Sequence, residues 1–139
     1  MQVKDAMTTD VELASPNQTI RQAALLMGKT DCGALPVADK DSLVGMITDR
    51  DIAVRAVAEQ KPPTTKVREI MSQEVLYCFD DQDLDDIAQN MSEVKVRRLP
   101  VVNREKRLVG IVSIGDLVKW KISEVEAEAD GLKAYIAAS

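Results

Sequence analysis

"VGMITDRDI", Val44 to Ile52, reads as a strand that stops and a helix that starts, and its junction is Thr48-Asp49-Arg50-Asp51. "VGIVSIGDL", Val109 to Leu117, repeats the design through Ser113-Ile114-Gly115-Asp116. A hydroxyl followed three residues later by a carboxylate is the pattern of a capping box. The hydroxyl accepts from one free backbone N–H of the new helix, and the carboxylate reaches back to another. The same place suits a ligand. Free N–H groups and the positive end of the helix dipole favour phosphate, and a carboxylate there can accept the hydroxyls of a ribose. Caps and ligands compete for the same donors, so the pattern alone leaves both readings open. Gly115 lets a ligand approach the backbone at the second junction. Arg50 stands at the corresponding place in the first, so the two junctions are unequal.

The junctions belong to a repeat. "VKDAMTTDV" at Val3 matches "VREIMSQEV" at Val67, an offset of 64 residues that also aligns Met7 with Met71, Met27 with Met91, and Leu35 with Leu99. After one inserted residue the offset becomes 65 and aligns Val44-Gly45 with Val109-Gly110 and Asp51 with Asp116. Self-similarity at this length means two copies of one supersecondary unit. They are assigned to residues 1–60 and 61–122, with a C-terminal helical tail at 123–139. Pro62 and Pro63, in the linker "AEQKPPTTK", stop the helix before them.

Each unit reads β-α-β-β-α. A short apolar stretch (Val11 to Ala14; Val75 to Cys78) precedes a helix whose apolar positions follow the i, i+3, i+4, i+7 rule. These are Ile20, Ala23, Ala24 and Met27 in one copy, and Leu84, Ile87, Ala88 and Met91 in the other. Thr19 with Gln22 forms a capping box and Asp83 is a good N-cap. "ALPVA" with "LVGMIT", and "LPVVN" with "LVGIVS", form hairpins across the polar turns "DKDS" and "REKR". The helical crossover allows the leading strand to lie parallel to a hairpin strand. A half this small keeps one apolar face uncovered, and stacking the two halves covers both. The tail beyond Trp120 offers Val125, Leu132, Tyr135 and Ile136 to the chain's own core or to a second subunit.

Composition narrows the function. Aromatic residues are 3% of the chain, so the core is aliphatic. A net charge of −5 argues against a nucleic-acid partner, although Lys95, Arg97, Arg98, Arg104, Lys106 and Arg107 form a local basic stretch. Arg97 and Arg98 precede "LPV" where the first copy has Gly33-Ala34. Two arginines entering a buried strand are costly unless their heads reach solvent or an anion. There is no histidine, which removes histidine acid–base chemistry and histidine metal ligands. Cys32 and Cys78 have no metal spacing and read as small apolar residues. Asp49, Asp51 and Asp116 could hold Mg²⁺ on a phosphate. With no nucleophile–base pair and no Walker-type loop, however, no catalytic or metal site and no enzyme activity is expected. No segment approaches the about 20 apolar residues of a membrane helix, and no signal peptide is evident, so a cytoplasmic protein is expected.

In their order, "M-T/S", a strand, an "LM"-type helix, "LPV", then "G-h-h-T/S-x-x-D", the residues resemble the cystathionine-β-synthase (CBS) domain family. The tandem resembles a CBS pair, or Bateman module, of the small stand-alone bacterial type, and the resemblance covers Met1 to about Ile122. It implies an α/β (α+β) fold of two pseudo-symmetric repeats packed sheet to sheet, with two clefts that take adenosyl ligands: AMP, ADP or ATP, with NAD or S-adenosylmethionine as further options. No cofactor is required. Carried over to this sequence, site one uses Thr48 and Asp51 with Val75, Leu76, Val96 and Arg97. Site two uses Ser113 and Asp116 with Cys32, Gly33 and Ala34. Arg98 reaches phosphate in either, and Ile47 and Ile111 flank the base. The resemblance also implies a homodimer, and a regulatory output through that interface or through a separate partner protein. The competing reading is a ligand-free structural and dimerisation module whose junctions are caps only.

Overall fold

The computed structural model describes residues 1–122 and Val125. The chain is a mixed α+β protein. After a 3-10 turn at Val3–Asp5, the first copy runs through α1 (Ile20–Thr30), β1 (Ala34–Asp39), β2 (Ser42–Thr48) and α2 (Asp49–Asp51), which continues as a π-type segment, Ile52–Val57. The second copy runs through α3 (Val67–Ile70), β3 (Cys78–Phe79), α4 (Leu84–Val94), β4 (Arg98–Val102) and β5 (Leu108–Ser113). A last helix, α5, occupies 114–122. The tail expected from residue 123 lies outside the described residues, apart from Val125.

The local signals act as their chemistry dictates. Thr19 Oγ1 accepts from Gln22 N at 3.1 Å and Gln22 Oε1 from Thr19 N at 3.0 Å, closing the box that starts α1. Asp83 Oδ1 accepts from Asp85 N at 2.8 Å at the start of α4. Ile20, Ala23 and Met27, and Leu84, Ile87 and Met91, are buried. Ala24 is exposed instead, at the margin of the apolar stripe. The hairpins β1–β2 and β4–β5 are antiparallel, and β3 lies parallel to β4, with Cys78 opposite Val101. The leading strands are shorter than expected. Only Ala14, bridged in parallel to Val37, and Cys78–Phe79 pair with the sheets. Val11, Val75 and Leu76 lie outside the ladders and line clefts.

The two copies are not closed units, because each gives its leading segment to the other. Val3 is buried in the core of the second copy with Cys78, Leu84, Ile87, Met91 and Val101. Val67 and Ile70 are buried in the core of the first, with Ile20, Leu35, Val37 and Ile47. Burying one valine side chain is worth about 1.5–3 kcal/mol, so Val3 and Val67, both 0% exposed, anchor the exchange firmly. The backbone bonds repeat as well. Val3 N donates to Gln82 O at 2.9 Å, and its counterpart Val67 N donates to Gln18 O at 2.8 Å. Thr8 and Ile111 exchange both their N–H···O bonds, and so do Ser72 and Met46. Each leading segment therefore adds a short stretch of strand to the far edge of the other copy's hairpin.

Gly45 and Gly110 make this possible. Both hairpins change register beside them, so that Val44 and Val109 bulge. A Cβ on Gly110 would lie 2.7 Å from Met7 Sδ and 2.8 Å from Thr8 O, and one on Gly45 would lie 2.8 Å from both Met71 Sδ and Ser72 O. A thioether can swing aside, but a carbonyl held in a two-way ladder cannot. Gly110→Ala is expected to destabilise the protein by about 1–3 kcal/mol through overpacking. Gly28→Ala, in α1 with nothing within 4 Å of the added Cβ, is expected to stabilise it by about 0.5–1 kcal/mol. Urea unfolding of the two variants should move the midpoint in opposite directions; a neutral Gly110→Ala would contradict the close packing.

Candidate functional site

Two of the clefts between the copies hold the helix mouths. The first has a volume of about 740 Å³ and is lined from the first copy by Gly33, Ala34, Met46, Thr48 and Asp49. From the second copy it is lined by Ser72, Glu74, Val75, Leu76, Val96, Arg97, Arg98, Pro100, Ser113, Ile114 and Gly115. The second cleft, about 300 Å³, is lined by Thr8, Asp10, Val11, Glu12, Thr30, Asp31, Cys32, Ala34, Leu35, Pro36, Arg98, Ile111, Ser113 and Asp116. Volumes of about 300–1,000 Å³ are those of small-molecule sites.

Both helix mouths close as capping boxes. Thr48 Oγ1 accepts from Asp51 N at 3.0 Å and Asp51 Oδ2 from Thr48 N at 3.0 Å. Ser113 Oγ accepts from Asp116 N at 3.1 Å and Asp116 Oδ2 from Ser113 N at 3.0 Å. The first helical N–H of each is also taken, Asp49 N by Gly33 O and Ile114 N by Arg97 O, both at 2.9 Å. The next donor differs. Arg50 N donates to Asp49 Oδ1 at 2.8 Å. In the second copy Ile114 stands in place of Asp49 and brings no carboxylate to Gly115 N.

The expected site residues are divided as follows. Thr48, Val75, Leu76, Val96, Arg97 and Arg98 line the first cleft together. Cys32, Ala34, Arg98, Ile111, Ser113 and Asp116 line the second. Gly33 faces the first cleft rather than the second, because its missing side chain leaves room for the Asp49 carboxylate, 2.9 Å from where a Cβ would be. Asp51 lines neither cleft. Its carboxylate turns back on Thr48 N, with Arg55 Nη1 3.9 Å away, and Asp49 takes its place in the wall. Ile47 is a correction too. It is 0% exposed in the first core, because strand residues alternate between faces and a shift of one reverses the face. The residue 65 positions before Ile111 is Met46, and Met46 lines the first cleft. The same offset could have found Met46 from sequence. The 64-residue offset pairs Val75 and Leu76 with Val11 and Glu12, which reasoning from the second copy alone missed.

Arg98 lies in the walls of both clefts. Its Nη1 donates to Cys32 Sγ at 2.7 Å, and Cys32 Sγ–H donates to Ala34 O at 2.9 Å. Arg97 is exposed. The arginines thus bring their heads to the clefts, which answers the cost of placing them beside buried Leu99 and Pro100. Arg104 of the basic stretch is used elsewhere. Arg104 forms a two-pronged pair with Asp81, Nη2 to Oδ1 at 2.7 Å, and lies 4.1 Å from the Phe79 ring centre. That hydrogen bond holds the Asp81 carboxyl below its ordinary range. Among the described residues no group of three His, Cys, Asp or Glu is placed to hold a metal ion, and no helix is long and apolar enough to cross a membrane.

Two copies of one α+β unit that trade leading segments and wall two clefts between them define a tandem pair. The CBS domain pattern matches residues 3–57 and again 67–123, and the chain belongs to that family. It is 46% identical over 90% of its length to the CBS domain-containing protein YhcV of Bacillus subtilis, covering 89% of that protein. It is similar to the solved CBS domain pair of protein MJ0100 in complex with 5′-methylthioadenosine and S-adenosyl-L-methionine, with a TM-score of 0.76 and 32% identity, covering 89% of this chain and 98% of that one. It is also similar to CBSX2 in complex with AMP, with a TM-score of 0.78 and 27% identity, covering 88% and 96%.

The two cysteines differ sharply. Cys32 is partly exposed in the second cleft, whereas Cys78 is buried, and burial with Asp80 nearby pushes its thiol up to about 12 from 9.0. Between those values the unfolded chain loses a proton that the folded chain keeps, so stability falls as pH rises above about 9. The loss is at most about 1.4 kcal/mol per pH unit. Urea unfolding at pH 8.5 and 10 is expected to show a steeper loss for the wild type than for Cys78→Ala; parallel losses would contradict a buried neutral thiol.

Proposed function

We propose that the chain is a ligand-sensing regulatory module whose clefts take adenosyl ligands: AMP, ADP or ATP, with NAD and S-adenosylmethionine as the further candidates. The observation that carries this reading is the first cleft. Both copies supply its walls, its volume suits a nucleotide, and Arg97 and Arg98 offer charge-assisted donors for phosphate. Thr48 and Ser113 lie at its helix mouths, and Val75, Leu76 and Val96 give apolar surface for a base. The adenosyl complexes of the two similar structures support the same class of ligand. A ligand shared by both walls favours one packing of the copies, and it shifts that packing only by the difference in its affinity for the two states.

Thermal unfolding against AMP, ADP, ATP, NAD and S-adenosylmethionine, with GTP as control, tests the reading. A ligand at 100 times its dissociation constant adds about 2.7 kcal/mol, or several degrees. Arg98→Ala is expected to shrink the shift given by every phosphorylated ligand. One observation favours the other reading, a ligand-free interaction module: both capping boxes are complete without a ligand. On that reading no ligand moves the melting temperature, and Asp116→Ala costs only its cap, about 0.5–2 kcal/mol.

The output passes to a second copy or to a separate protein. Val57 and Ile122 are 65 residues apart and stand at matching places on the second helix of each copy, exposed at 68% and 53%. That supports a homodimer built on these helices. Sedimentation is expected to give a dimer mass for the wild type and a monomer mass for Val57→Asp with Ile122→Asp; a monomeric wild type would remove the dimer from the proposal.

A further inference from the structure

The two clefts are counterparts under the repeat, so their walls can be compared position by position. Thr8, Asp10, Val11 and Glu12 of the second correspond to Ser72, Glu74, Val75 and Leu76 of the first. Most pairs keep their character. The charged places differ: Glu12 of the second corresponds to Leu76 of the first, Asp31 of the second to Lys95, which lies outside the first wall, Arg97 of the first to Gly33, which lies outside the second, and Asp49 of the first to Ile114. All but the Asp49 difference make the second cleft more acidic or the first more basic. The second wall sets Asp10, Glu12, Asp31 and Asp116 against one guanidinium, that of Arg98. The first sets Asp49 and Glu74 against both Arg97 and Arg98. Asp49 is in part already spent, since its Oδ1 accepts from Arg50 N. Size runs the same way, about 740 Å³ against about 300 Å³.

We infer that the clefts divide adenosyl ligands by charge: the first takes those that carry phosphate, and the second takes only those without it. The inference rests on the adenosyl reading above and adds a separate claim to it. A phosphate monoester brings a charge of about −1.5 to −2 at neutral pH, which four carboxylates in a small cleft oppose. In the first cleft the same charge meets two guanidiniums. Three of the opposing carboxylates, Asp10, Glu12 and Asp31, are exposed, so the exclusion weakens as salt rises.

Calorimetric titration of the full chain with AMP and with 5′-methylthioadenosine tests the division. AMP is expected to bind once per chain and 5′-methylthioadenosine twice. Arg97→Ala is expected to weaken AMP about tenfold, the loss of one charged hydrogen bond, and to leave 5′-methylthioadenosine unchanged. The exchange Glu12→Leu with Asp31→Lys puts the second copy's residues at these two places and removes two of the four carboxylates of the second cleft, and AMP should then bind twice. Asp31 and Lys95 share a left-handed backbone, at φ 52° and 58°, so the conformation already accepts lysine in the other copy. AMP binding twice to the wild type, or once to the exchanged variant, overturns the division and leaves the adenosyl reading standing. AMP binding that ignores Arg97→Ala also overturns the division. No binding of either probe overturns the division, and the adenosyl reading falls with it when ADP, ATP, NAD and S-adenosylmethionine also leave the melting temperature unmoved.

Discussion

The sulfur of Met7 lies over Gly110 and that of Met71 over Gly45, at places where an added Cβ would sit within 2.8 Å of it. Behind each methionine the chain pairs with the other copy's hairpin, Thr8 with Ile111 and Ser72 with Met46. Two apparent repeats thereby become one interlocked body. Neither core closes alone, because Val3 completes the second and Val67 with Ile70 completes the first. The clefts depend on the same exchange. Once past its paired residue, each leading segment runs on without a ladder. Asp10, Val11 and Glu12 on one side, and Glu74, Val75 and Leu76 on the other, become cleft wall. A chain whose halves folded separately would leave both cores incomplete and lose the site.

Much of this was legible from sequence because the signals are local. The helix stripes, the caps at Thr19, Thr48, Asp83 and Ser113, and the polar hairpin turns each depend on residues a few positions apart, and the repeat offered every signal twice. The exchange was not legible. "VKDAM" reads the same whether it packs on its own copy or on the other, since Val3 needs only an apolar cavity and nothing in the pattern says whose. The shortness of the leading strands was not legible either: apolar Val75 and Leu76 look like strand, but this stretch joins the sheet only from Cys78 and before it lines the first cleft. Ile47 shows the sharpest limit. Its neighbour Met46 differs from it in one respect only, the face of β2, and in a strand that is decided by a single step of register.

The junctions show how a cap and a binding site share one piece of chain. In each box the hydroxyl oxygen and one carboxylate oxygen are taken within the helix mouth, so a ligand must also be held by groups that the caps leave over. These are the guanidiniums of Arg97 and Arg98 and the apolar residues of the exchanged segments. Some of these positions, Leu76 and Arg97 among them, are also where the copies have diverged. Residues that hold the exchange (Val3 and Val67, Met7 and Met71, Gly45 and Gly110) are the same in both copies, because a change in one would disturb a core or a ladder of the other. Glu12 and Leu76, or Gly33 and Arg97, touch no such constraint. A duplicated fold fixes its two clefts in place and leaves their linings free, so it can give one small chain two related sites that differ in size and charge.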